Sequence, residues 1–175
     1  MLEPLYRQVC REAPEGRFVV MGDSAGGGLS LALCQYALEA GLPQPERAIL
    51  LSPWLDVTMT DPAIEELNKL DPFLEPESGR KIGRLYAGGD DPRQYRISPL
   101  YGPLEGLAPL AIFTGTRDIL NADVRALARR LEHADVSYQI FEYQDMIHTW
   151  MLFPIPEAVD AWDKVGQILR KKNNF

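Results

Sequence analysis

The chain has 175 residues, about one domain's worth of protein. Its 46% hydrophobic and 25% charged residues, with 14 Gly and 14 Pro, exclude a collagen-like, low-complexity or wholly disordered chain. Eighteen basic against 25 acidic side chains leave a net charge of -7, which argues against a nucleic-acid or anionic-membrane partner.

In chain order, residues 2–13 place Leu2, Leu5, Tyr6, Val9, Cys10 and Ala13 on one face of a helix, closed by Pro14 and Gly16. Phe18-Val19-Val20-Met21 is an unbroken apolar run, the pattern of a strand buried on both faces. After Gly22-Asp23-Ser24-Ala25-Gly26-Gly27-Gly28, helical spacing returns through Leu29, Ala32, Leu33, Tyr36, Ala37 and Ala40. Leu31, Cys34 and Leu38 add a second stripe, so this helix is expected to be covered on two sides. Further strands are expected at residues 48–51, 110–114 and 137–143, with helices at about 122–133 and 156–171. Arg170-Lys171-Lys172 reads as the basic end of the last helix, where it complements the dipole.

Strand and helix alternate at a βαβ cadence, which predicts a parallel sheet. The cadence breaks once: about 60 residues separate the second and third strands, about twice the length of a simple βαβ unit. The surplus, residues 56–103, is rich in Pro, Gly and charge and is expected to hold one helix near 77–86. It is either a lid over the ligand-binding edge of the sheet or a structural excursion.

Cys10 and Cys34 are too few and too far apart for a disulfide framework or a CxxC motif; both are expected in the core, in keeping with a reducing cytoplasm. No stretch approaches the roughly 18 apolar residues of a membrane span, and no basic segment followed by an apolar run opens the chain. A cytoplasmic protein with no stable membrane insertion is expected.

Gly22-Asp23-Ser24-Ala25-Gly26 matches G-x-S-x-G between a buried strand and a helix, the context of a nucleophile elbow. The sharp turn strains the serine backbone and lifts its hydroxyl above the sheet, at the positive end of the next helix. Glycines two before and two after are expected to remove Cβ atoms that would clash. A phosphate loop does not fit, because neither G-x-G-x-x-G nor a Walker lysine is present. A serine needs a base and an orienting acid. Of the two histidines, His133 falls at the end of a surface helix and His148 in a loop after the last strand. Asp118 lies at the end of the intervening strand. Asp123 reads better as a cap or first-turn acid, and Asp145 is too close to His148. The order Ser24, Asp118, His148 is that of α/β-hydrolases.

Gly22-Asp23-Ser24-Ala25-Gly26-Gly27, Leu51-Ser52-Pro53-Trp54-Leu55-Asp56, Ile97-Ser98-Pro99-Leu100-Tyr101, Gly115-Thr116-Arg117-Asp118-Ile119-Leu120 and Ile147-His148 together resemble the hormone-sensitive-lipase-like branch of the α/β-hydrolases, a family of carboxylesterases and lipases. The resemblance implies an α/β-hydrolase fold with a parallel sheet, truncated to the elements from the elbow onward, as one partial domain over residues 1–175. It implies Ser24 as nucleophile, His148 as base and acid, Asp118 as orienting partner, and the Ala25 N–H as an oxyanion donor. The substrate is then a short- or medium-chain acyl ester. Trp54, Phe73 and Met151 are candidates for the pocket, and neither metal nor cofactor is required.

The family's His-Gly-Gly loop and first strands have no counterpart in this sequence, so the resemblance is to the C-terminal half. Two readings follow: a serine carboxylesterase, or a half-hydrolase that is inactive or very weak and binds a partner. The elbow strand then becomes a sheet edge, and self-association or pairing with a separate N-terminal half along it is expected.

Overall fold

The computed structural model describes residues 2–13 and 17–170. The chain runs α1 (Glu3–Glu12), β1 (Val19–Asp23), α2 (Ala25–Glu39), β2 (Arg47–Leu51), α3 (Ala63–Asn68), α4 (Pro76–Ala87), β3 (Leu110–Gly115), α5 (Asn121–Leu131), β4 (Tyr138–Tyr143) and α6 (Pro156–Arg170). Short 3-10 turns occupy Pro99–Tyr101 and Trp150–Leu152. Pro14 and Gly16, expected to close α1, and Lys171, expected to end α6, lie outside the described residues.

The four strands form one parallel sheet in the order β1-β2-β3-β4. Helices cover both faces, so alternate residues of each central strand feed two cores. Ala48 and Leu50 of β2, with Leu110 and Ile112 of β3, pack under Leu31 and Cys34 of α2 and Val124, Leu127 and Leu131 of α5. Ile49, Leu51, Ala111 and Phe113 point the other way, onto Trp150, Met151 and the Ala161, Val165 and Ile168 stripe of α6. This two-sided burial explains why β2 and β3 read as continuous apolar runs.

The elbow strand departs from that expectation. β1 is the edge strand, and its residues are only half-buried or exposed, with Met21 at 48% exposure. An apolar run identifies a strand but not the number of faces its neighbours cover. Leu5 of α1 is also exposed, whereas Tyr6 is buried and donates its hydroxyl to the Pro43 carbonyl. Cys34 is buried as expected; Cys10, on α1, is only partly so. Burial pushes the Cys34 thiol up to about 12, which leaves it protonated and inert.

The long connection between β2 and β3 holds α3 and the 3-10 turn as well as the expected helix, α4. Its two ends are tied together at Asp56, which is almost fully buried. Asp56 Oδ1 accepts from the Thr58 amide and hydroxyl at 2.8 and 2.7 Å, and Tyr101 donates to Oδ2 at 2.7 Å. Ser98 Oγ donates to Oδ1 at 3.3 Å and accepts from the Val57 amide at 3.0 Å. The segment after Ser52-Pro53 and the Ser98–Tyr101 turn thus meet at Asp56 and Val57, above the C-terminal end of β2, before the chain runs back to enter β3 at Leu110. Among the described residues, no helix is long and apolar enough to cross a membrane.

Candidate active site

β1 passes into α2 through Ser24, whose backbone adopts φ 52° and ψ -120°. That conformation is strained for a residue with a Cβ and persists only where the surroundings impose it. Three contacts do so. The Ser24 amide donates to the Leu51 carbonyl at 2.8 Å, and its carbonyl accepts from the Gly27 and Trp54 amides at 3.0 and 2.9 Å. Gly22 is required sterically, because a Cβ there would stand 2.3 Å from the Gly26 carbonyl oxygen. Gly26 corrects the sequence reading: a Cβ at 26 would meet open space, so it is the approach of its backbone to Gly22 that matters. Gly28 allows α2 to lie on the Ser52–Trp54 turn, since a Cβ there would fall 2.0 Å from the Trp54 carbonyl oxygen.

His148 and Asp118 arrive from the C-terminal ends of β4 and β3. His148 Nε2 lies 2.9 Å from Ser24 Oγ, and Nδ1 lies 2.9 Å from Asp118 Oδ2. With the Asp118 carboxylate as acceptor, Nδ1 carries the proton and Nε2 faces the serine hydroxyl as an acceptor. Asp118 is fully buried and His148 nearly so. The other Asp118 oxygen accepts from the Leu120 amide at 2.9 Å, which fixes the carboxylate plane. The histidine loop is pinned where Gly115 meets it: a Cβ at 115 would stand 2.2 Å from the Met146 carbonyl oxygen, and the Arg117 amide donates to that oxygen at 3.0 Å. The Thr149 amide donates to Ser52 Oγ at 3.2 Å. Ser24, Ser52, Met59, Asp145 and Thr149 are all left-handed non-glycine residues, and they gather in the turns around this site.

One residue with no sequence signal joins the connection to the site. Asp71 accepts from the Phe73 and Leu74 amides through Oδ1, at 2.8 and 3.0 Å, and from the Ile119 amide through Oδ2 at 3.0 Å. It thereby clamps the segment before α4 to the turn that carries Asp118. Asp123 lies in the first turn of α5, as expected, but it does not cap. It is fully buried, and neither carboxylate oxygen has a hydrogen-bond partner of ordinary geometry. Burial above all, with Asp56, Asp61 and Asp118 nearby, pushes its carboxyl up to about 8.

A cavity of about 350 Å³ opens at Ser24. Trp54 and Phe73, two of the three pocket candidates, line it together with Leu74, Ile82 and Leu120. The Phe73 ring also lies 6.2 Å from the His148 ring, centroid to centroid. Met151 is not among the lining residues; it packs beside Trp150 in the core beneath α6. Ala25 lines the cavity as well, and its N–H is at the first position of α2, where a helix leaves its amides without internal partners. His133 lines a separate surface depression with Arg129 and Arg130. Among the described residues, no group of three or more His, Cys, Asp or Glu side chains is placed to hold a metal ion.

Comparison with known proteins agrees with this fold. Residues 3–152 match the family described as alpha/beta hydrolase fold, and the chain belongs to that family. It is 33% identical over 168 residues to an acetyl-hydrolase of Streptomyces hygroscopicus, covering 94% of this chain and 56% of the relative. An esterase of Acinetobacter venetianus is 32% identical over 152 residues, with 85% and 50% covered. Among solved structures, an esterase from the bacterial hormone-sensitive lipase family superposes with a TM-score of 0.90 at 35% identity, covering 94% of this chain and 57% of that one. An esterase/lipase from an uncultured bacterium gives 0.88 at 33% identity, with 94% and 56% covered. The resemblance to the hormone-sensitive-lipase-like branch therefore holds. The chain spans about half the length of the curated relatives it matches.

Proposed function

We propose that this chain carries the catalytic triad of a serine carboxylesterase, with Ser24 as nucleophile, His148 as general base and acid, and Asp118 as the residue that orients His148. The observation that carries this reading is the unbroken relay of two 2.9 Å contacts from Ser24 Oγ through His148 to Asp118. In the reaction, Nε2 takes the hydroxyl proton as Ser24 Oγ bonds to the carbonyl carbon of an acyl ester. The developing oxyanion faces the Ala25 N–H at the positive end of α2. Nε2 then gives the proton to the leaving alcohol oxygen as the C–O bond breaks. Water, deprotonated by the same nitrogen, releases the acyl group as a carboxylic acid, and the proton returns to Ser24 Oγ. Trp54 and Phe73 bound the substrate cavity, and the connection between β2 and β3 forms its wall through α4.

The half-hydrolase reading is favoured by one observation, the half-exposed β1 at the sheet edge. On that reading the triad is assembled but turnover is weak, since losing an oxyanion donor costs about 3–4 kcal/mol of transition-state stabilisation. A fluorophosphonate ester separates an assembled triad from a bystander serine. The native chain should take up one adduct, mapped to Ser24 by mass spectrometry. Ser24→Ala should take up none, and Asp118→Asn should label slower by on the order of 10³-fold. An adduct elsewhere, or labelling of Ser24 no faster than in the unfolded chain, would contradict the proposal.

A further inference from the structure

The cavity at Ser24, at about 350 Å³, is small for a ligand site, for which the usual range is about 300–1,000 Å³. One of its walls has an unusual construction. Gly79 and Gly83 are one turn apart on α4, and they bring the helix directly onto residues 57–59. A Cβ at 83 would stand 2.2 Å from the Val57 carbonyl oxygen, and a Cβ at 79 would stand 2.2 Å from Met59 Sδ. The Met59 thioether therefore fills the space that a side chain at 79 would take, and both residues line the cavity.

Methionine is ordinarily the adaptable side chain of a core. Met59 is instead held on every side. Its backbone is left-handed, with φ 47°, and its carbonyl accepts from Arg80 Nε and Nη2 at 3.3 and 3.2 Å. Its side chain is buried against Ile64, Ile119 and Leu120. The left-handed turn aims the thioether at α4, and the missing side chain at 79 receives it.

We propose that Met59, seated against Gly79, closes the acyl side of the Ser24 cavity and restricts the site to short acyl chains, from acetyl to butyryl. This rests on the reading of Ser24 as the nucleophile. The acyl group stays bonded to Ser24 Oγ through half of the reaction while the alcohol departs, so a cavity that opens at Ser24 and is apolar apart from Glu75 and Ser78 suits the part that remains. Met59 contributes three heavy atoms beyond Cβ, and their removal makes room for two or three methylenes. Each methylene buried is worth about fourfold in binding.

The test is a series of p-nitrophenyl esters from acetate to octanoate with the native chain, Met59→Ala and Gly79→Ala. The native chain should fall off beyond butyrate. Met59→Ala should raise the hexanoate-to-butyrate ratio of kcat/KM by on the order of tenfold, and Gly79→Ala, by crowding the thioether into the cavity, should lower the butyrate-to-acetate ratio. A native preference for octanoate would overturn the proposal without any variant. So would an unchanged ratio in Met59→Ala, or a shift seen with the length of the alcohol instead of the acyl chain. If the native chain hydrolyses no ester, the nucleophile reading fails separately. The wall is then tested by ligand-observed NMR with acetate to octanoate. Binding that stops at butyrate and extends to octanoate only in Met59→Ala supports it, and identical binding in both proteins overturns it.

Discussion

Asp123 shows how a single residue can depart from the role its position suggests. In sequence it is a first-turn acid, a favourable place beside a helix dipole. In the structure it is fully buried, without hydrogen-bond partners of ordinary geometry, and faces Asp56, Asp61 and Asp118. Asp61 has a cation at 3.9 Å, Arg129, which is itself largely exposed. Burial holds the Asp123 carboxyl at about 8, so the folded chain keeps a proton that the unfolded chain releases near pH 4. Its contribution to stability is therefore fully present below that pH and is lost as pH rises to about 8. Asp123→Asn, neutral throughout, should escape this loss and gain on the native chain between pH 5 and pH 8 in urea denaturation. Parallel losses in both proteins would show that Asp123 is not the titrating group. The cluster of Ser24, Asp118 and His148 was legible because each follows a strand end in a recognisable local pattern. Asp123 was not, since sequence shows a residue's place in a helix but not which face the neighbouring loops bury.

At the scale of elements, β2, β3, α2 and α6 follow the apolar periodicity closely because their burial is set by covered faces. α3 escaped notice: at six residues, with Ile64 alone buried, it is too short to display a helical period. The clamp at Asp71 is also invisible in sequence, because it works by accepting backbone amides from two distant segments, and amides carry no residue code. Removing it leaves the buried Ile119 N–H unpaired, at a cost of about 1–3 kcal/mol. Asp71→Ala should accordingly lower Tm by several degrees, at roughly 2–4 °C per kcal/mol for a chain of this size. It should also reduce kcat more than KM is changed, because the Asp118 turn loses its brace. A variant with native Tm and native kcat would show that the clamp is incidental.

At the scale of the molecule, helices pack on both faces of the sheet, and its edges are β4 and β1; the Val19–Asp23 edge meets no further strand among the described residues. An unprotected apolar edge of this kind pairs with another chain. The chain should therefore run in light scattering as a dimer or larger species, and Met21→Lys, which places a charge on the edge strand, should shift it toward monomer. A native monomer at all concentrations would contradict pairing along β1. The same edge bears on activity, because the site stands beside it: Ser24 follows the last residue of β1. The most direct test is hydrolysis of p-nitrophenyl acetate by the purified chain, measured beside Ser24→Ala. Turnover that disappears with the alanine is the predicted result. Equal rates in the two proteins would mean that the Ser24, His148 and Asp118 relay, though assembled, does not work as an esterase in this chain.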